Sequence, residues 1–221
     1  MLTDFCLNTA HLTLRPVSAA DRADLIALEA DAEVMRYLNG GLPVPDAGLS
    51  DADFLTPRGD EPEVLAVHHH AGGAFIGWFS LFDDGVVDGL RSAEIGYRLM
   101  RAAWGKGYAT EGLRALIEAA FNTFGFDRVR AETMTVNQAS RRVMEKAGLR
   151  HIKTVFPTRA PQIPGADQGE VIYEIRKAEM SRMSHGLLKS GPIRHCDCGA
   201  INRSSLNDYY LCSLKHIQDK H

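Results

Sequence analysis

Cysteine is scarce in this chain, and its placement matters as much as its scarcity: Cys6, Cys196, Cys198 and Cys212 leave the centre without a thiol. A disulfide framework needs paired cysteines spread through a small domain, so that class is excluded and stability must come from an apolar core. The paired CxxC of a zinc site is missing too. His195, Cys196, Cys198, Cys212 and His216 are ligand types without ligand spacing, and no metal site is expected. His68, His69 and His70 are consecutive, so only His68 and His70 share a strand face; a strand end meeting solvent accounts for them. Neither sign of charge prevails. With 25 basic and 28 acidic residues the net charge is −3, which gives no bulk attraction to nucleic acid or an anionic membrane. No apolar run is long enough to span a bilayer, and MLTDFCLNTAH lacks the basic and apolar segments of a leader. The expectation is a soluble, cytoplasmic protein that is a monomer or homodimer.

What the chain does have is one sizeable core's worth of apolar residues, 45% of 221, and a distinctive junction at its middle. In Arg101 to Gly112, RAAWGKGYATEG, two glycines join a strand-like run, Glu94 to Met100, to an amphipathic helix. Leu113, Leu116, Ile117, Ala120, Phe121 and Phe124 fall on one face of that helix. Backbone N–H groups gather where a helix begins, and glycine lets the main chain take positive φ and approach a ligand closely. Trp104 to Ala109 can therefore wrap an anion such as a phosphate-bearing cofactor, with Lys106 adding a cation between Gly105 and Gly107. Two familiar phosphate loops are excluded by spacing. Gly105, Gly107 and Gly112 read GxGxxxxG rather than GxGxxG, and Lys106 precedes glycine rather than Ser or Thr. A plain turn between strand and helix is the competing reading.

Along the chain, His11 to Val17 reads as a strand, Ser18 with Asp21 opens a helix, and Ala32 to Leu38 forms a short helical piece. Asn39 to Asp60 is a Gly/Pro-rich loop. Glu63 to His70, Ala74 to Phe82 and Arg91 to Met100 predict three antiparallel strands, with turns at Ala71–Gly73 and Asp83–Gly89. After the helix Tyr108 to Phe124, Asp127 to Thr135 alternates Val129, Ala131 and Thr133 against Arg128, Arg130 and Glu132, as a half-buried strand does. Asn137 caps a helix that stops at Gly148, and Leu149 to Phe156 and Glu170 to Lys177 are the last strands. Composition shifts beyond Lys177, so residues 1–177 are read as one domain and 178–221 as a loosely ordered appendage.

WGKGYATEG at Trp104 to Gly112, followed by NQASRRVMEKAGL at Asn137 to Leu149, resembles the GNAT superfamily of acyl-CoA-dependent N-acyltransferases, and most of all its Rim-type, ribosomal-protein-alanine-acetyltransferase branch. The resemblance covers roughly residues 10 to 177. It implies an α/β (α+β) fold with a mixed, mostly antiparallel central sheet flanked by helices, its fourth and fifth strands splayed to admit acetyl-CoA. It implies transfer of an acetyl group to a primary amine, a protein N-terminus or a small molecule, in a ternary complex. The diphosphate of the co-substrate would lie on Trp104, Gly105, Lys106, Gly107, Tyr108 and Ala109. The family's Gln or Arg three residues before the first glycine is Ala102 here, with Arg101 adjacent.

Acetyl transfer needs a neutral amine, a polarised thioester carbonyl and a proton for the departing thiolate. On the resemblance, Glu94 acts as base; a solvated strand glutamate is the competing reading. Main-chain groups at Leu99, Met100 and Arg101 would hold the thioester and pantetheine, freed by a β-bulge. Asn137 would contact the pantetheine arm. Where many members carry a donor tyrosine, this chain has Met144, whose thioether cannot donate. Ser140 is the substitute donor, against helix capping or solvent exposure as its plainer role. Tyr37, Leu38 and Asn39 would shape the acceptor pocket. Met144 and Ala102 also keep open a non-catalytic acyl-CoA-binding module, and the tail an interaction role.

Overall fold

The computed structural model describes residues 5–38, 41–44, 64–156 and 163–180. Among them lie strands β1 (Leu7–Asn8), β2 (Leu12–Pro16), β3 (Val64–His69), β4 (Phe75–Val87), β5 (Leu90–Leu99), β6 (Arg128–Met134), β7 (Arg150–Val155) and β8 (Glu170–Arg176). Helices α1 (Arg22–Glu29), α2 (Ala32–Met35), α3 (Tyr108–Asn122) and α4 (Gln138–Ala147) connect them. All eight strands form one sheet in the order β1-β2-β3-β4-β5-β6-β8-β7. Every neighbouring pair is antiparallel except β5 with β6. The mixed, mostly antiparallel sheet expected from the sequence is present. Because the short β1 precedes it, the predicted fourth and fifth strands are β5 and β6.

The two faces of the sheet carry different cores. On one, Phe79, Leu81, Ala93, Ile95 and Leu99 pack under α3 and α4 against Leu113, Leu116, Phe121 and Met144. α3 sits close to the sheet because Gly112 faces the ring of Phe79: a Cβ there would meet Phe79 Cζ at 2.6 Å. On the other face, Leu25 and Leu28 of α1 cover Trp78. Glu29, at the end of α1, is buried beneath that helix, where it accepts from Trp78 Nε1 at 3.1 Å and pairs with Arg98.

Several local readings are refined. The broad turn expected over Asp83–Gly89 is a two-residue loop, because Asp88 (φ 55°) and Gly89 (φ 76°) both take the left-handed conformation of a type I′ hairpin while β4 continues to Val87. Arg128, expected on a polar face, is buried; its Nε donates to Ser92 Oγ at 2.9 Å and its Nη2 to the Val87 carbonyl at 3.0 Å. Ser18 and Asp21 do form a capping box. Asp21 is buried there, bonded by Arg15 at 2.7 and 2.8 Å and by His68 Nε2 at 3.0 Å, which gives His68 a structural place. The Asn39–Asp60 loop apart from residues 41–44, the cysteine and histidine tail and nearly all of 178–221 lie outside the described residues.

Candidate active site at the fork of the sheet

β5 and β6 pair over Ser92↔Arg128, Ala93↔Val129 and Glu94↔Arg130, and then diverge. β5 stays with β4 as far as Leu99, and β6 stays with β8 as far as Met134, so each arm of the fork is held from outside. Met100 N–H donates to the Ile76 carbonyl at 2.8 Å, on the β4 side. Alternation along the strand then turns the N–H and C=O groups of Ile95, Tyr97 and Leu99 toward the fork. The expected bulge at Leu99–Arg101 is not what turns them there. The β4–β5 register shifts only between Asp83 and Val86, and main chain reaches the fork through divergence of the strands. Beyond Leu99 the chain tightens into a 3-10 turn over Arg101–Ala103.

The glycine loop lies at the end of this arm. Gly105 and Gly107 adopt φ of 73° and 86°, and a Cβ built on either meets nothing within 4 Å. Gly107 is the N-cap of the 15-residue α3 and supplies no side-chain cap, so the first-turn donors face the same open space. Glu111, an acid in that first turn, is directed elsewhere: it accepts from Thr9 Oγ1 at 2.6 Å and His11 N–H at 2.8 Å. Burial pushes its carboxyl up, but the hydrogen bonds from Thr9 and His11 outweigh this and hold it below the ordinary value. Lys106 is exposed, and Trp104, 48% exposed, donates from Nε1 to the Leu99 carbonyl at 2.8 Å. Arg101 turns away from the glycines, its Nε 2.7 Å from Asp31 Oδ2 at the start of α2. The open cradle and uncapped helix start fit a diphosphate.

The predicted side chains divide between the faces. Glu94, partly exposed on the last rung of the β5–β6 pair, lies on the α1 face in the same row as Gly96 and Arg98. Tyr37 packs on that face too, with Met134, Val136, Ile163 and Ala166 at the tip of the β6 arm. Leu38 follows it, and Asn39 lies outside the described residues. On the opposite face Asn137 caps α4 by accepting from Ser140 N–H at 3.2 Å and donates from Nδ2 to Thr133 Oγ1 at 3.0 Å. Met144 is buried in the core. Tyr97, which the sequence reading passed over, reaches Ser140 from β5: the two hydroxyl oxygens are 2.9 Å apart. An aromatic alternating with Ile95 and Leu99 directly before the glycine loop was the available signal.

A mixed sheet forked at its central parallel pair, with an open glycine cradle at a helix start beside the fork, defines an acyl-CoA-dependent acyltransferase. The acetyltransferase (GNAT) domain model matches residues 11–150, and the chain belongs to that family. It is an acetyl-CoA-dependent N-acetyltransferase that acts on an amine. The chain is 35% identical over 184 residues to the FsC-acetyl coenzyme A-N(2)-transacetylase of Aspergillus fumigatus, covering 80% of this chain and 78% of that one. Among solved structures, spermidine N-acetyltransferase from Vibrio cholerae in complex with CoA and spermine aligns with a TM-score of 0.62 at 18% identity, over 76% of this chain and 96% of that one. Mycobacterium smegmatis RimJ in complex with CoA-disulfide aligns at 0.60 and 20% identity, over 81% and 92%. No helix among the described residues is long and apolar enough to cross a membrane.

Proposed function

We propose that this cytoplasmic enzyme belongs to the Rim-type branch and acetylates a primary amine by direct attack in a ternary complex, with the amine entering from the α1–α2 face. The observation that carries this reading is the fork itself, with Glu94 at its base on one face and Ser140 on the other. Bound acetyl-CoA supplies the thioester. Trp104 to Ala109 hold its diphosphate through backbone donors and the α3 dipole. Main chain at Leu99, at the end of β5 just before Met100 and Arg101, together with Asn137, aligns the pantetheine arm as an added strand. Glu94 takes the amine proton, directly or through water. The amine nitrogen bonds to the carbonyl carbon as the C–S bond breaks with its electron pair staying on sulfur; Ser140 Oγ gives the sulfur a proton and recovers one from solvent as CoA leaves.

Tyr37 and Leu38 wall the acceptor pocket, and Asn39 follows them in the chain. Two kinds of acceptor fit the branch, a protein N-terminus and a small molecule. The small molecule is favoured by relatives named for acetylation at N(2) of FsC and for spermidine. The test is CoA release across small amines and short peptides, with Glu94→Gln in parallel. A general base is worth roughly 100-fold or more, so Glu94→Gln should lose about that in kcat; full activity would remove Glu94 from the mechanism.

A further inference from the structure

Tyr97 stands three residues past the last β5–β6 rung and points to the α4 side, its ring against Phe79 with centroids 5.5 Å apart. Its phenol oxygen lies 2.9 Å from Ser140 Oγ and 3.2 Å from the Ser140 carbonyl. Serine near a helix start ordinarily turns its hydroxyl onto its own helix, where it satisfies a backbone group and serves nothing else. Here its hydroxyl meets Tyr97 instead, while its amide donates to Asn137 Oδ1.

We propose that Tyr97 is a positioning residue that aims the Ser140 hydroxyl at the departing sulfur; the inference rests on the reading of Ser140 given above. A phenol has one proton and a serine hydroxyl has one proton and two lone pairs. When the single Tyr97 Oη–H is shared between Ser140 Oγ at 2.9 Å and the Ser140 carbonyl at 3.2 Å, the serine proton must point away from Tyr97 and is free to enter the fork. Tyr97 keeps its proton throughout. Burial pushes its phenol up to about 12, with the Ser140 hydrogen bond acting in the opposite direction, so Tyr97 remains a donor across the working pH range. This pairing also accounts for a buried Met144: the hydroxyl that serves the leaving group is braced from the strand instead of being supplied one helical turn further along α4.

The test is a double-mutant cycle read by CoA release with the best amine found. Tyr97→Phe keeps the ring on Phe79 and is expected to lower kcat about tenfold with the KM for acetyl-CoA unchanged. In the Ser140→Ala background the same change is expected to do nothing further, because no hydroxyl remains to be aimed. A role in packing alone predicts equal losses in both backgrounds, and that result overturns the inference. Ser140→Ala slower than wild type while Tyr97→Phe runs at the wild-type rate also overturns it and leaves Ser140 in place. Wild-type turnover in Ser140→Ala overturns both.

Discussion

At the scale of single residues, the site depends on conformations that only some side chains tolerate. Gly107 holds a φ of 86° in open space, so Gly107→Ala meets no atom but forces a Cβ into the left-handed region, at a cost of roughly 1–2 kcal/mol. That cost falls on the conformation that presents the α3 donors. Calorimetry is expected to show acetyl-CoA affinity reduced about tenfold by a cost of about 1.4 kcal/mol, with the amine KM little changed. Glu29 shows the opposite kind of dependence. It is 1% exposed and is held by Trp78 and Arg98, whose guanidinium is pushed down by burial and raised again by Glu29. Removing one partner of a buried pair leaves an uncompensated charge, typically costing about 3–5 kcal/mol. Glu29→Ala should lose stability on that scale in urea denaturation, whereas the double change Glu29→Leu with Arg98→Met should recover most of it.

At the scale of elements, the sequence made some features plain and concealed others, for physical reasons. α3 and α4 were legible because a period of 3.6, glycine stops and an Asn cap are local signals, and Asn137, Ser140 and the glycine loop came with them. The Glu29–Arg98 pair was not legible, since its members are separated by 69 positions and meet only through the fold. Tyr97 was missed for the same reason, its partner lying 43 positions away on another element. Adjacency to Ala102 gave the Arg101 side chain no direction, because its partner, Asp31 at the start of α2, is distant in the sequence. Gly112 offers a test of close packing between elements. Alanine normally favours a helix over glycine by about 1 kcal/mol. Here its methyl would press on the buried Phe79 ring, so Gly112→Ala should lower the melting temperature, and Phe79→Leu in the same chain should relieve the loss.

For the whole molecule, the carboxylates set the pH response. Burial pushes Asp21 up, but bonds from Arg15 and Ser18 outweigh it and hold it below its ordinary 3.8; Glu111 lies below its ordinary 4.5 by the same balance. A depressed carboxyl contributes stability that is complete above its unfolded value and is lost as pH falls through the folded one. Melting temperature should therefore be level at neutral pH and fall on acidification below the ordinary carboxylate range. Asp21→Asn should start lower and lose less. We also propose that the catalytic unit ends near residue 177, with the tail dispensable for turnover. Glu179 pairs with Arg150, and Met180 packs against the core. A chain cut after Met180 should match the full chain in turnover and melting temperature, and one cut after Lys177 should melt a few degrees lower.

The three rungs between β5 and β6 have one more consequence. Apart from the two-rung β1–β2 edge they are the sheet's thinnest seam, with four strands behind β5 on one side and β8 and β7 behind β6 on the other. A co-substrate laid in the gap would act as mortar, supplying the missing rungs and clamping the two halves together. Amides of Tyr97 and Leu99 should then trade hydrogen for deuterium far more slowly once CoA is added, while those of β1 and β7 at the outer edges keep their pace.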